Sequence, residues 1–272
     1  MPRPQYLSKI LAQIMLGASA FVFAAARMVP SAEARGPVLT KAIALVSDDE
    51  RPGTARSAAS PAANVATALG ALSSKVRPLS RPEALADAFR SYFAFLTEHP
   101  DQVRKPYLYF VDYGLPSAEP RGYVFDMRRL AIVEGPFTVA HGRGSATSRD
   151  GAPTRFSNAL GSAATSLGLY VAQELYGFHG HAGGRPYASV GLRIAGVSTG
   201  FNDNARARRV VVHGAPYVTP NHAGLSEGCP AMEPSRARRL LPKLAGGGVV
   251  FLFAPDEKWL GGDPWLSAAG RA

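Results

Sequence analysis

A single cysteine, Cys229, stands in the 272-residue chain, inside "VVVHGAPYVTPNHAGLSEGCPAM" (210–232). His213 precedes it by 16 positions, at the end of a run that reads as a buried strand. A free thiol titrates near ~8.5 and reacts only as the thiolate; a neighbouring imidazolium can lower that value to ~3.5–7.5. A Cys/His pair with backbone N–H donors beside it makes an acyl-transfer site. The loop 214–228 is long enough to return the chain to the sheet edge where "RRVVVH" ends. Gly228 permits a close approach of backbone to substrate. N–H groups around 228–229 are the expected oxyanion hole, each good donor being worth ~3–4 kcal/mol. The other use of a lone cysteine is as an inert buried thiol, and spacing alone leaves that open.

Other histidines offer a different chemistry. His179 and His181 form an H-x-H in "YGFHGHAGG", and with His213 or His222 they could bind zinc. No acidic general base accompanies them in the sequence, so a groove or structural placement is the better expectation. Tyr176, His179, Asn204 and Tyr217 are the candidates for lining a substrate groove, and each could equally be a satisfied polar residue at a strand end. Ser157-Asn158 is expected to serve a turn.

These residues need a rigid frame, and the sequence supplies strands. "YLYFVDYGLP", "RGYVFDMRRLAIVEGPFTVAHG", "TSLGLYVAQELYG", "YASVGLRIAGV", "ARRVVVHGA" and "GGVVFLFAP" are β-branched or aromatic and bounded by Gly, Pro, Asn or Asp. One helix interrupts them, "EPSRARRLLPKLAGGG" (233–248), with Pro242 limiting its last turn. The pattern predicts a compact, mainly β domain over 105–260 with a few peripheral helices, followed by a tail at 261–272. Before it, "SRPEALADAFRSYFAFLTEHP" (80–100) carries Ser80 and Glu83 as a capping box and Pro82 in the first turn. Leu85, Phe89, Tyr92, Phe93 and Leu96 recur there at helical spacing, an amphipathic helix whose stripe is core. Residues 35–79 are rich in Ala, Ser, Pro and Arg and read as a poorly ordered linker with a short helix around 63–73. No repeat and no phosphate-binding loop is present: "HGRGSATSRDG" lacks both GK[ST] and a strand-to-helix setting.

The N-terminus sets the compartment. "MPRPQYLSK" is basic, residues 10–26 are uncharged and mostly apolar, and Ala32-Glu33-Ala34 offers a small-residue cleavage site. This is a signal-peptide pattern over 1–34, with cleavage after Ala34 and periplasmic or exported delivery. The apolar stretch is shorter than the ~20 residues of a spanning helix, so no stable membrane insertion is expected after cleavage. An exported chain with one cysteine has no internal disulfide to make. Without the leader, 27 basic residues face 19 acidic ones, a net +8. That balance suits an anionic partner such as a cell wall. Nucleic acid is not expected, because no stacking pattern, zinc finger or recognition helix is present.

At Cys229 the sequence resembles the L,D-transpeptidase catalytic domain family (YkuD-like), in its murein L,D-transpeptidase catalytic-domain-like branch. The pattern is a histidine after a strand, a loop, then Ser/Thr-x-Gly-Cys, here His213-Gly214, Ser226, Gly228 and Cys229. Upstream, "DYGLPSAEPRGYVFDM", "VAHGRGS", "TRFSNALGSAATSLGLY", "YGFHG" and "GFNDNARARRVVVHGAPYV" extend it over about 105–255. A monomer is the expectation, and the resemblance implies a β-sandwich or barrel-like transpeptidase domain acting on peptidoglycan stem peptides. It implies Cys229 as nucleophile, His213 as base, and Gly228 and Ser226 shaping the turn and oxyanion site. The thiolate would attack the carbonyl of the third stem residue and expel D-alanine. An amine, giving a 3→3 cross-link, or water would then take the acyl group, with no metal or cofactor.

Glu227 and Ala231 depart from the commoner pattern, which has His before the Gly and Arg or Asn two positions after the Cys. A carboxylate aimed at the sulfur would raise the thiol pKa, so Glu227 is expected to face solvent. Three alternatives remain at this stage: an L,D-carboxypeptidase or endopeptidase using the same thioester, a zinc hydrolase using the histidines, and a wall-binding module without catalysis.

Overall fold

The structure, a computed structural model, describes residues 60–267 apart from Thr147 and Arg149. The leader, with its cleavage site, and most of the expected linker lie outside the described residues. Helix α1 (Pro61–Leu72) comes first. Ser60 caps it, its Oγ accepting the Ala63 N–H at 3.3 Å, and Pro61 fills a first-turn position that needs no N–H. Helix α2 (Ala84–Glu98) buries Leu85, Phe89, Tyr92 and Phe93, the stripe marked by spacing, together with Phe95; Leu96 is half-buried. It begins later than the capping box implies. Ser80 donates its N–H and its hydroxyl to the buried Asp112 carboxylate, at 2.7 and 2.6 Å. With the serine spent there, Glu83 takes the cap position with no side-chain bond.

Twelve strands follow among the described residues: β1 (Tyr107–Asp112), β2 (Gly122–Asp126), β3 (Ala131–Phe137), β4 (His141–Gly142), β5 (Gly168–Ala182), β6 (Arg185–Gly196), β7 (Val211–Gly214), β8 (Val218–Thr219), β9 (His222–Ala223), β10 (Leu225–Ser226), β11 (Ala231–Met232) and β12 (Val249–Phe253). Eight of them make one mixed sheet in the order β11-β7-β6-β5-β12-β1-β2-β3, while β10 pairs with β4 and β8 with β9. The mainly β expectation holds. At the centre, β12 runs parallel to β1, Phe110 opposite Phe251, and antiparallel to β5. All five residues of β12 are buried, which is why "VVFLF" reads as a continuous apolar run and not an alternating one.

Helix α3 (Pro234–Leu244) packs Ala237, Leu240, Leu241 and Leu244 inward. Helices α4 (Glu257–Gly262) and α5 (Pro264–Ser267) close the described chain. Within the segment expected as a tail, Trp265 sits edge-on to Phe95, ring centroids 4.9 Å apart, and its indole N–H donates to the Val197 carbonyl at 2.8 Å. Among the described residues no helix is long and apolar enough to cross a membrane.

Two features of this frame position the site. The first is a buried bracket built by "DYGLPSAEPRGYVFDM". Arg121, fully buried, donates to the Val139 carbonyl through Nε (3.1 Å) and Nη2 (2.8 Å) and to the Leu115 carbonyl through Nη1 (2.6 Å). Its Nη2 also lies 2.9 Å from His141 Nδ1. This pins the chain entering β4, whose Gly142 is pressed against Gly228: a Cβ on Gly142 would stand 2.7 Å from the Gly228 Cα. The second is the β5–β6 hairpin, paired from Tyr170↔Gly196 to Ala182↔Arg185. Gly183 and Gly184 turn it with φ of +57° and +76°, the backbone of a tight two-residue hairpin loop.

Candidate active site

Strand β7 holds His213 between two neighbours, opposite Gly191 of β6 and Ala231 of β11. His213 is 3% exposed. Its Nδ1 lies 3.1 Å from the Gly214 carbonyl oxygen. A carbonyl can only accept, so Nδ1 carries the proton and Nε2 keeps a lone pair. Phe178 stacks on the ring, centroids 4.0 Å apart and planes 14° from parallel, and the Tyr187 hydroxyl reaches to 3.5 Å from Nδ1. Burial, only partly offset by the Gly214 carbonyl, lowers the His213 pKa to about 4. The group is therefore a neutral base at physiological pH.

Ser226 ties the cysteine turn together. Its Oγ accepts the Gly228 N–H at 3.1 Å and donates to the Cys229 carbonyl at 2.7 Å. Gly228 has φ +117°, a conformation that favours glycine, and a Cβ there would meet the Ala164 carbonyl at 2.9 Å. Of the two donors expected around 228–229, that of Gly228 is thus spent inside the turn. No hydrogen bond among the described residues engages the Cys229 N–H.

Beyond the turn, β11 runs parallel to β7, which brings Cys229 alongside Val211, one diagonal step from His213. The half-buried thiol rests on the Val211 N–H, 3.5 Å from Sγ, and faces the Arg209 carbonyl at 3.9 Å. Among the described residues no hydrogen bond joins Sγ to the imidazole. Burial pushes the thiol up to about 11, against the pull of the Val211 N–H and the Arg208 charge. Burial thus favours the neutral form of both groups, the imidazole and the thiol. Glu227 adds only the last-ranked upward push on the thiol: it faces solvent, as expected, and pairs with Arg143 at 2.8 Å.

A second buried histidine shares this behaviour. His141 is fully buried, and burial together with Arg121 lowers its pKa to about 3. Both histidines bind protons more readily in the unfolded chain, near ~6.5. Stability therefore rises with pH through this window and is lost as pH falls. Each should cost about 2 kcal/mol by pH 5 relative to pH 7.5. Asp112 and Asp263, whose pKa values burial raises, act in the opposite sense. Thermal melts at the two pH values should show a drop of several degrees at pH 5; an unchanged midpoint would contradict the neutral, buried histidines.

The groove candidates divide. Tyr176 and Tyr217 both lie within electrostatic range of the Cys229 sulfur, and Tyr217 packs edge-on to Tyr187 at 6.4 Å. His179 does not join them. Successive strand residues face opposite sides, so with Phe178 turned to His213, His179 is exposed on the other face, as is His181. Asn204 clasps two loops: its N–H donates to Asn158 Oδ1 at 3.1 Å and its Nδ2 to the Asn158 carbonyl at 3.2 Å. Ser157 supports the next turn, its Oγ accepting the Ala159 N–H. His222 pairs with Asp150 at 3.1 Å. Among the described residues no group of three His, Cys, Asp or Glu is assembled to hold a metal ion. Phe178, Tyr187 and Arg208 were not marked in the sequence. Strand parity around Tyr176 would have found the first; Arg208 carries no such signal.

Comparison with known proteins gives one family. The model of the L,D-transpeptidase catalytic domain matches residues 79–253. The solved structure of an L,D-transpeptidase from Mycobacterium smegmatis is similar at 15% identity, over 55% of this chain and 59% of that one, with a TM-score of 0.31. One from Stackebrandtia nassauensis is similar at 15% identity, over 63% and 66%, with a TM-score of 0.34. The chain thus spans 59% of the length of the first of these. No curated protein matches it.

Proposed function

The chain belongs to the L,D-transpeptidase catalytic domain family, and on that premise we propose that it is a cysteine acyltransferase of peptidoglycan, with Cys229 as nucleophile and His213 as base. The supporting observation is the state of His213: buried, neutral, its Nδ1–H held by the Gly214 carbonyl, its Nε2 lone pair left for chemistry. The reaction begins with a neutral pair. Rotation about the Cys229 Cα–Cβ bond swings the thiol off Val211 toward the imidazole. Nε2 takes its proton as sulfur bonds to the carbonyl carbon of the third stem residue. The carbonyl oxygen becomes anionic and is met by the Cys229 N–H. When the C–N bond breaks, the imidazolium returns the proton to the departing D-alanine amine, and a thioester remains on Cys229.

The second half mirrors the first. An amine of another stem attacks the thioester and gives its proton to His213. The sulfur leaves and recovers that proton, and a 3→3 cross-link results. Water in place of the amine gives a tripeptide. Tyr176 and Tyr217, both within electrostatic range of the sulfur, are the proposed contacts for the stem peptide. Peptidoglycan lies outside the cytoplasmic membrane, and the leader 1–34 supplies the route there. The test is digestion of a defined disaccharide-tetrapeptide. Release of D-alanine with dimer or tripeptide products, absent in Cys229→Ala, supports the reading and identifies the acceptor. Bound but unaltered muropeptides would leave a wall-binding module instead.

A further inference from the structure

Resting on the reading of Cys229 as nucleophile, we propose that Arg208 is a positioning residue of the site, the cation seated beneath the Gly228–Cys229 turn that lets the sulfur carry negative charge. Arg208 lies in the connection between β6 and β7. Its Nη1 donates to the Ser157 carbonyl at 2.6 Å and to Ser166 Oγ; its Nη2 donates to Ser162 Oγ at 3.1 Å and the Ala164 carbonyl at 2.5 Å. All four acceptors are neutral. Every ion pair among the described residues joins other side chains, so no carboxylate offsets this charge. The guanidinium lies beside the turn: a Cβ on Gly228 would stand 3.4 Å from Nη2. A half-buried cation with its donors fixed on neutral oxygens cannot swing away to solvent, and it costs no reorganisation when the sulfur ionises.

The groups facing the thiol from other elements leave the role to Arg208. His213 on β7 is neutral. The phenols of Tyr176 and Tyr187 on the hairpin, Tyr217 after β7, and Tyr113 and Tyr170 on the core side are held protonated, their pKa values raised by burial. Glu227, the acid on the turn itself, is exposed and offset by Arg143. Ala231 brings no polar group.

The test reads the thiol without any peptidoglycan substrate. Iodoacetamide bonds to sulfur and expels iodide, and the thiol proton goes to solvent, so the rate follows the thiolate fraction across pH. Arg208→Gln should move the midpoint up by about one pH unit, a ~10-fold slower alkylation near pH 8. Arg208→Lys, which keeps the charge and loses the fork, should stay within ~3-fold of the parent. Ser162→Asp leaves the arginine and cancels its charge; it should move the midpoint upward as well, and it decides the matter should Arg208→Gln lose its cooperative melt. An unmoved profile in the folded neutralised variants, or equal shifts for lysine and glutamine, overturns the proposal. A parent protein whose Cys229 resists alkylation at every pH would instead sink the nucleophile reading.

Discussion

Cys229→Ser is expected to fold like the parent and to release no D-alanine above background, a loss of at least ~10³-fold. The neutral pair explains why so conservative a change is so costly. With burial pushing the thiol up to about 11 and the imidazole down to about 4, the proposed mechanism has proton transfer accompany attack. The proton must move to Nε2 while the bond to carbon forms. A hydroxyl is a far weaker acid than a thiol, and the same weak base cannot assist it. Folding has little reason to change. The Ser226 staple does not involve sulfur, and the Val211 N–H can donate to an oxygen as well. D-alanine release and a thermal melt on one preparation check both halves.

His213→Gln should lower kcat/KM by ~10²–10⁴-fold, the usual worth of a positioned general base. The pH profile of the parent gives a sharper reading. On the proposed mechanism, activity needs a neutral imidazole that takes the thiol proton and returns it to the leaving amine. The free enzyme should therefore rise through about pH 4 and stay flat until the thiol ionises near about 11. A preformed thiolate–imidazolium pair would give a bell within the neutral range. The His213→Gln protein should keep its Cys229 open to iodoacetamide at high pH, where no base is needed. Equal loss of alkylation and turnover would mean the turn had collapsed.

How much of this was legible depends on whether a residue's role was set by its neighbours in sequence. The strands around 107–112 and 249–253 announce themselves by unbroken apolar runs, and the stripe Leu85–Phe89–Tyr92–Phe93 announces a packed helix face. His213 and Cys229 stand out as candidates because a strand, a loop and a glycine-led turn sit in one short string, and the family resemblance implies their roles. Roles fixed by distant contacts were hidden. Ser80 and Glu83 spell a capping box, yet Asp112, 32 positions on, claims the serine. Asn204 looked like a groove residue and is spent on Asn158, 46 positions away. Arg208 draws its meaning from carbonyls and hydroxyls of 157–166, which no local pattern couples to it.

Parity decided His179. A hairpin written "YGFHGH" assigns alternate residues to opposite faces, so either Phe178 or His179 can meet His213, and the structure selects the phenylalanine. The burial of His213 is hidden from the sequence for a related reason. Proximity to a histidine suggests a low thiol pKa only if that histidine is charged, and the burial that makes His213 neutral cannot be read from spacing.

The most direct test of Cys229 as the acylated nucleophile is intact-protein mass after exposure to a carbapenem, whose strained β-lactam carbonyl offers a thiol an acyl group. A single adduct is expected on the parent protein, mapped to the peptide containing Cys229 and absent from Cys229→Ala. An adduct of the same mass that survives Cys229→Ala would contradict that assignment.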